Sequence, residues 1–140
     1  MEDPSMTLQL NGPCPLISVF DMPTSLRFYR DTLGFEVISR SGQADDCGWA
    51  WLRLGGAELM LNTAYDDDER PPVPDPARIE SHQDTCLYFG SPDVDGAYAF
   101  LQQKGVPSEP PKVSWYGMKQ LYFTDPDGYS LCLQKKSDER

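Results

Sequence analysis

Sulfur-bearing side chains recur along this 140-residue chain at a constant offset of 72 residues. Cys14 recurs as Cys86, each seven residues before an aspartate, and Met60 recurs as Cys132, each four residues after a glycine. Thiolate and thioether sulfur bind soft metals such as Cu(I), Zn or Hg, whereas buried Cys and Met also serve as plain apolar side chains. The pattern therefore predicts either a soft-metal site or the lining of a metal-free pocket.

The repeat extends to the apolar neighbours of these residues, because Leu59 and Leu61 match Leu131 and Leu133. A period of this kind is typical of one structural unit used twice, with the two copies sharing a core. Two related units that face each other usually enclose a cleft. We therefore expect the functional site between the two units.

The order of predicted elements is the same in both halves, namely strand, helix and three strands. Helices are predicted from about Pro23 to Leu33 and from Val94 to Lys104, each closed by a glycine. The intervening Tyr65–Gln83 carries an acidic run and several prolines, so it is predicted to be an exposed loop or connector. The predicted strands span residues 15–20, 35–39, 49–54 and 58–62 in the first half, and 86–90, 112–115, 119–124 and 130–134 in the second.

Length and charge limit the classes of function. A chain of 140 residues fits one domain, and a net charge of −10 argues against nucleic acid and against an anionic membrane surface. No apolar run approaches the length of a transmembrane helix, and the N-terminal residues lack the features of a signal peptide. The four cysteines form no CxxC pair. We therefore expect a cytoplasmic protein with reduced thiols.

Two segments carry a resemblance to a known family. They are Ser18–Asp21 continuing through Ser25–Tyr29 to Leu33-Gly34-Phe35, and the Asp-Pro-Asp-Gly turn that leads into 129–133. Nearly the whole of 14–134 resembles the vicinal-oxygen-chelate superfamily of glyoxalase I, extradiol dioxygenases and bleomycin-resistance proteins. The resemblance implies an α+β fold in which two tandem βαβββ modules form a cleft between curved mixed sheets. It also implies one domain over 1–140, with module one at 14–62, a linker at 63–85 and module two at 86–134.

The resemblance further implies where a metal would bind. Metal-using members of the family carry four ligands on the cleft, mostly His, Glu or Gln, and the matching positions here hold Cys14, Met60, Cys86 and Cys132. A thioether is a poor ligand for Ni, Zn, Fe or Mn. The chain therefore lacks the ligands that metal-dependent glyoxalase chemistry requires. A soft-metal site of three thiolates and a thioether is the alternative. We favour a metal-free pocket without a cofactor, because no orienting group for such ligands is evident.

Aromatic side chains are predicted to line that pocket. If Gly55-Gly56 is a two-residue turn, strand alternation places Trp51 opposite Met60 and Trp49 opposite Asn62 on the cleft face. The same alternation in the second module brings Gln120, Ser130 and Gln134 inward beside the predicted aromatics. The predicted ligand-binding residues are Trp49, Trp51, Met60, Asn62, Cys86, Tyr88, Trp115, Tyr116, Tyr122 and Cys132. Such a set suits a flat, partly apolar ligand.

Two other residues could carry chemistry but are not predicted to. His82 lies four residues before Cys86, too far to replace it as a ligand, and is predicted to be a surface histidine. Cys47 follows Asp45 and Asp46, and these acidic neighbours should disfavour its thiolate.

Three functions remain open. The first is a metal-free binding protein that sequesters a small molecule, for which the acidic surface favours a cationic ligand. The second is a superfamily enzyme, a lyase, isomerase or dioxygenase, and the third is a sensor or interaction module. The resemblance also implies a homodimer in which modules of different chains complete each cleft, and residues 7–10 could reach a neighbouring chain.

Overall fold

The computed structural model describes residues 6–65 and 68–137. Within these ranges the chain forms eight strands and three α-helices, together with a π-helical turn and a 3₁₀ turn. In chain order the elements are β1 (Leu16–Val19), α1 (Met22–Leu26) with a π-helical turn (Arg27–Thr32), β2 (Glu36–Arg40), β3 (Trp49–Leu54), β4 (Ala57–Thr63), α2 (Pro76–Ser81) with a 3₁₀ turn (His82–Asp84), β5 (Cys86–Gly90), α3 (Val94–Gln103), β6 (Lys112–Val113), β7 (Met118–Thr124) and β8 (Ser130–Lys136).

The strands form two four-stranded sheets with the same topology. Sheet one has the order β1-β4-β3-β2, and sheet two has the order β5-β8-β7-β6. In each sheet the first pair is parallel and the remaining pairs are antiparallel. The predicted fold class is therefore confirmed: the protein is α+β, with two tandem βαβββ modules.

The first helix begins where its sequence signals place it. The Asp21 carboxylate accepts hydrogen bonds from the backbone N–H and the hydroxyl of Thr24. Pro23 lies in the first turn, where a backbone N–H has no acceptor within the helix, so proline loses no hydrogen bond there. The helix then widens, since Leu33 N donates to Phe28 O at 2.9 Å, a spacing of five residues. Gly34 follows with a φ of +98°, the left-handed conformation that ends a helix. One predicted helix is thus an α-helix continued by a π-helical turn.

The predicted register of β3 and β4 is confirmed. Trp51 pairs with Met60, Trp49 with Asn62, and Arg53 with Glu58. The alternate positions of these strands are fully buried and face the helices: Ala50, Leu52, Leu59 and Leu61. Alternation therefore directs both tryptophans to the opposite side of sheet one, which we call its open face. The corresponding side of sheet two, away from its helix, is the open face of sheet two.

The linker differs from its prediction as a loop or connector. Asp75 accepts a hydrogen bond from Ala77 N at 3.0 Å and caps α2, which has a proline in its first turn. Gly128 permits this helix to approach, because at φ +87° a Cβ there would lie 2.5 Å from the Ile79 carbonyl oxygen. Of the acidic run, Asp66 and Asp67 lie outside the described residues.

One apolar cluster joins the two modules. It takes in buried side chains of both, among them Leu26 and Leu52 from the first and Leu101 and Leu121 from the second. None of the helices in the described ranges combines the length and apolar character needed to cross a bilayer.

Candidate functional site

The open face of sheet one carries the predicted residues of module one. Trp49, Trp51 and Met60 are partly buried there, and Asn62 is exposed. The guanidinium of Arg53 pairs with Glu58 at 2.9 Å at one end of this face, and a partly exposed ion pair of this kind contributes little to stability. The indole nitrogen of Trp51 is buried and has no hydrogen-bond partner among the described residues. This donor therefore has unused hydrogen-bonding capacity on the face where a ligand is expected.

The open face of sheet two carries two phenols and two thiols. Tyr88 pairs with Cys132 on β8, which in turn pairs with Tyr122 on β7. The two phenolic oxygens lie 3.0 Å apart, and their rings meet edge to face. This hydrogen bond, together with burial, raises the pKa of Tyr122. Burial raises the pKa of the Cys132 thiol, which is 0% exposed, so the sheet presents aromatic faces with a protonated thiol buried beneath them.

A hairpin at the end of sheet two presents Trp115 and Tyr116. Ser114 closes the turn, because its backbone N–H donates to Met118 O at 2.7 Å and its hydroxyl accepts from Met118 N. Trp115 is 96% exposed, and its ring meets that of Tyr116 edge to face at 5.3 Å. Exposing the apolar surface of a tryptophan to water is unfavourable in free energy. We therefore expect this side chain to be covered by a ligand or another chain.

The four sulfur positions do not form a metal site within one chain. Cys14 precedes β1 and Met60 lies in sheet one, whereas Cys86 and Cys132 lie in sheet two. Over residues 6–65 and 68–137, no three His, Cys, Asp or Glu side chains come close enough together to hold a metal ion. The donors present therefore do not fit the metal that the family resemblance implies, and no chemistry is derived through one.

The junction between the modules contains a buried polar network that the sequence did not predict. The Tyr29 hydroxyl donates to Asp125 at 2.6 Å, which joins the first helix to the Asp-Pro-Asp-Gly turn. The second aspartate of that turn, Asp127, accepts from Phe20 N at 2.7 Å and from Ser25 Oγ at 3.3 Å. Sequence alone indicated a turn here. The sequence did contain one signal, namely two aspartates and a tyrosine close to apolar strands. Polar side chains in such a position need hydrogen-bond partners when they are buried.

His82 belongs to this junction and is not the surface histidine that the sequence predicted. Its ring stacks on Tyr129 with centroids 4.0 Å apart, and its Nδ1 lies 2.7 Å from Asp127 O. Arg78 on α2 adds a hydrogen bond to Ser18 O at 2.9 Å and an ion pair to the Asp127 carboxylate at 3.3 Å. The linker helix therefore seals one side of the junction, which the linker's polar composition did not indicate.

We predict that the Asp125 carboxyl makes folding stability fall with rising pH. Burial raises the pKa of Asp125 above its ordinary 3.8, although the hydrogen bond from Tyr29 lowers it. A carboxyl that keeps its proton to higher pH in the folded state stabilises the fold at low pH and loses this contribution as the pH rises through that raised pKa. In denaturant titrations, wild type should therefore exceed Asp125→Asn in stability by more at about pH 4 than at about pH 7. A difference that stays constant across this range would contradict the assignment.

A cavity of about 790 Å³ occupies the other side of the junction. The two sides of the junction correspond to each other through the repeat of 72 residues. At the positions equivalent to Asp127 and Tyr129 of the second module, the first module has Gly55 and Ala57. These small residues cannot fill the space, so apolar side chains such as Phe89 and Phe100 line it. Of the predicted ligand-binding residues, only Cys86 and Tyr88 contribute to its walls.

Cys47 is buried, with 7% of its surface exposed. Burial raises the pKa of its thiol, and Arg40 opposes this shift. The prediction that its thiolate is disfavoured is supported, but burial is a larger cause than the acidic neighbours on which the sequence argument depended.

Comparison with known proteins identifies the family. The model of the glyoxalase/bleomycin resistance protein/dioxygenase superfamily matches residues 13–133. The chain belongs to this superfamily. Among curated superfamily relatives, the metallothiol transferase FosB of Staphylococcus haemolyticus is 29% identical over 123 residues, which are 87% of this chain and 81% of FosB.

Solved structures show the same superfamily fold. A bleomycin-binding protein in complex with bleomycin has a TM-score of 0.68 at 20% identity, covering 93% of this chain and 100% of that one. TnmS3, an antibiotic binding protein from Streptomyces sp. CB03234, has a TM-score of 0.64 at 26% identity with the same coverage. A superfamily protein from Nocardioides has a TM-score of 0.69 at 23% identity, covering 97% and 90%.

Proposed function

We propose that this protein binds and sequesters a flat, partly apolar small molecule on the aromatic open faces of its sheets, without a metal or other cofactor. The observation that carries the proposal is the exposure of large aromatic side chains on and beside those faces. Tyr88 and Tyr122 on the open face of sheet two are 51% and 41% exposed, and Trp115 on the hairpin at the end of that sheet is 96% exposed. Exposed aromatic surface of this extent is typical of a binding site.

Charge favours a cationic ligand. The net charge of −10 concentrates cations near the surface. Phenol and amide groups on the open face of sheet two would orient such a ligand, while the rings would supply most of the buried area. The same charge opposes nucleic acid and anionic membranes as partners.

Two relatives support a binding role. The bleomycin-binding protein and TnmS3 are described as proteins that bind antibiotics. The FosB relative favours a second candidate, an enzyme that transfers a thiol with the help of a metal. The positions that would hold that metal carry Cys and Met in place of His, Glu or Gln here, and a thioether is a poor ligand for such a metal, which weighs against the enzyme. The retained aromatic faces weigh against a sensor or interaction module with a vestigial cleft.

The proposal includes the location and assembly of the protein. The chain forms one domain and assembles as a cytoplasmic homodimer, in which modules from different chains complete each cleft. The N-terminal segment supports this assembly. Met6, Leu8 and Leu10 alternate as in a strand, and each is more than 80% exposed. We predict a dimeric mass by light scattering at micromolar concentration. A monomeric mass under the same conditions would contradict the proposed assembly.

Native mass spectrometry combined with metal analysis tests the proposed function on the purified protein. We expect no stoichiometric Ni, Zn, Fe or Mn, because the four positions carry Cys and Met in place of imidazole and carboxylate ligands, and we expect glyoxalase turnover to stay at background with added metal. An organic molecule that co-purifies would identify the ligand class. A metal held at one per chain and lost in Cys86→Ser would overturn the proposal in favour of a soft-metal site.

A further inference from the structure

Two glutamine side chains form a pair on the open face of sheet two. Gln120 on β7 lies directly opposite Gln134 on β8. The Nε2 amide of Gln120 donates to Gln134 Oε1 at 3.0 Å and to the Tyr116 hydroxyl at 2.7 Å. Gln120 is only 8% exposed, so its orientation is fixed by these two contacts. Both of its N–H groups are thus engaged.

The pair retains one free acceptor and one free donor. In the described part of the chain, no hydrogen bond reaches Gln120 Oε1 or Gln134 Nε2. The only buried and unpartnered side-chain polar atom of those residues is Trp51 Nε1, so both free amide atoms are accessible to solvent. Turning both carboxamides over together exchanges their roles but still leaves one donor and one acceptor. The complementarity of the pair is therefore independent of how the amides are oriented.

Gln120 lines a groove wide enough for a ring system, and Gln134 lies next to Gln120, just outside that lining. A concavity of about 740 Å³ is lined by Gln120 and Tyr122 from the sheet and by residues 107–110 from the loop before β6. The Tyr122 ring is 41% exposed and offers a face on which a planar molecule can rest. A planar molecule on this ring can direct one edge at the glutamine pair.

We propose that Gln120 and Gln134 recognise a planar lactam, that is, a cyclic amide whose N–H and C=O lie side by side on one edge. The ligand N–H donates to Gln120 Oε1 and the ligand C=O accepts from Gln134 Nε2. A carboxylate offers two acceptors and a guanidinium offers two donors, so each leaves one glutamine atom without a complement. This inference rests on the proposed function and narrows its ligand to one with a lactam edge.

A matched pair of ligands tests the inference on the wild-type protein. 2-Quinolone carries the lactam edge, and N-methyl-2-quinolone has the same rings but lacks the N–H donor. We expect calorimetry to give the methylated compound an affinity lower by about fivefold, the scale of one net hydrogen bond. In Gln120→Met this discrimination should disappear, whereas Gln103→Met, a change of the same type at an exposed site on α3, should retain it.

The other possible results of this experiment overturn the lactam inference. Equal affinity of wild type for the two quinolones, or discrimination that persists in Gln120→Met, overturns the lactam inference. Absence of binding by both quinolones overturns it too. In these cases saturable binding of 9-aminoacridine, which has no lactam edge, would show that the proposed function still stands. If Gln120→Met does not fold, the more exposed Gln134→Met replaces it.

Discussion

Replacing Asp127 by alanine should destabilise the protein by about 3 kcal/mol. The Asp127 side chain is 4% exposed and accepts hydrogen bonds from the Phe20 backbone and the Ser25 hydroxyl, while it pairs with Arg78. Removing the carboxylate leaves the Phe20 backbone donor without an acceptor and deprives the largely buried Arg78 guanidinium of its counter-charge, and such losses are among the larger single-residue effects. Urea unfolding of the variant and of wild type measures the difference.

The matched control is Glu109→Gln. Glu109 pairs with Lys112 at 3.5 Å, but both side chains are about 80% exposed, so removing the charge should change stability by no more than about 0.5 kcal/mol. If Asp127→Ala were as mild as this control, the junction network would not be what holds the two modules together.

Replacing Trp51 by alanine should weaken binding of a planar aromatic cation, such as 9-aminoacridine, by about 1–3 kcal/mol. Trp51 lies on the open face of sheet one, so its ring would stack on a ligand. The fold should survive, because truncating a side chain on an open face enlarges existing space and opens no void in the core. Calorimetry gives the affinity, and circular dichroism reports the fold.

Phe100→Ala is the control for loss of an aromatic ring. Phe100 is 40% exposed on α3 and lines the junction cavity, to which Trp51 does not contribute. Its removal should leave the affinity for 9-aminoacridine unchanged. An equal loss in both variants would place the ligand in the junction cavity and contradict the assignment to the open faces.

Strands and their registers were predictable because alternation is a local property. The register of Trp51 with Met60 follows from a two-residue turn at Gly55-Gly56 and an unbroken alternation on each side. The same alternation accounts for burial, because Leu121 and Phe123, which alternate with Gln120 and Tyr122 on β7, are 0% and 5% exposed. Sequence reasoning placed Trp49, Trp51, Tyr88 and Tyr122 on the correct strands for the same reason. The strand predicted over 112–115 ends at Val113, so Trp115 lies in the following turn.

The junction network was not predictable, because its partners are distant in sequence. Tyr29 and Asp125 are 96 positions apart, and no local pattern distinguishes a turn aspartate in solvent from one buried against another module. The same applies to His82, whose stacking on Tyr129 depends on how the linker helix packs. A polar linker with prolines normally indicates a loop, but here tertiary contacts stabilise a short helix within it.

The glutamine pair lies between these two cases. Alternation placed Gln120 and Gln134 on the open face, and the sheet pairing then set them opposite each other. Which amide atoms remain free depends on Tyr116, which reaches the pair through the conformation of the hairpin around it. Hairpin geometry of this kind follows from tertiary structure more than from a local pattern.

The most direct measurement of the central claim is a titration of wild type with 9-aminoacridine, followed through tryptophan fluorescence. Binding on the aromatic open faces predicts saturable quenching at micromolar ligand, with a folded Trp51→Ala protein that binds more weakly. A Trp51→Ala protein that is unfolded, together with wild-type binding that leaves tryptophan fluorescence unchanged, would show that these rings belong to the core and would contradict the account.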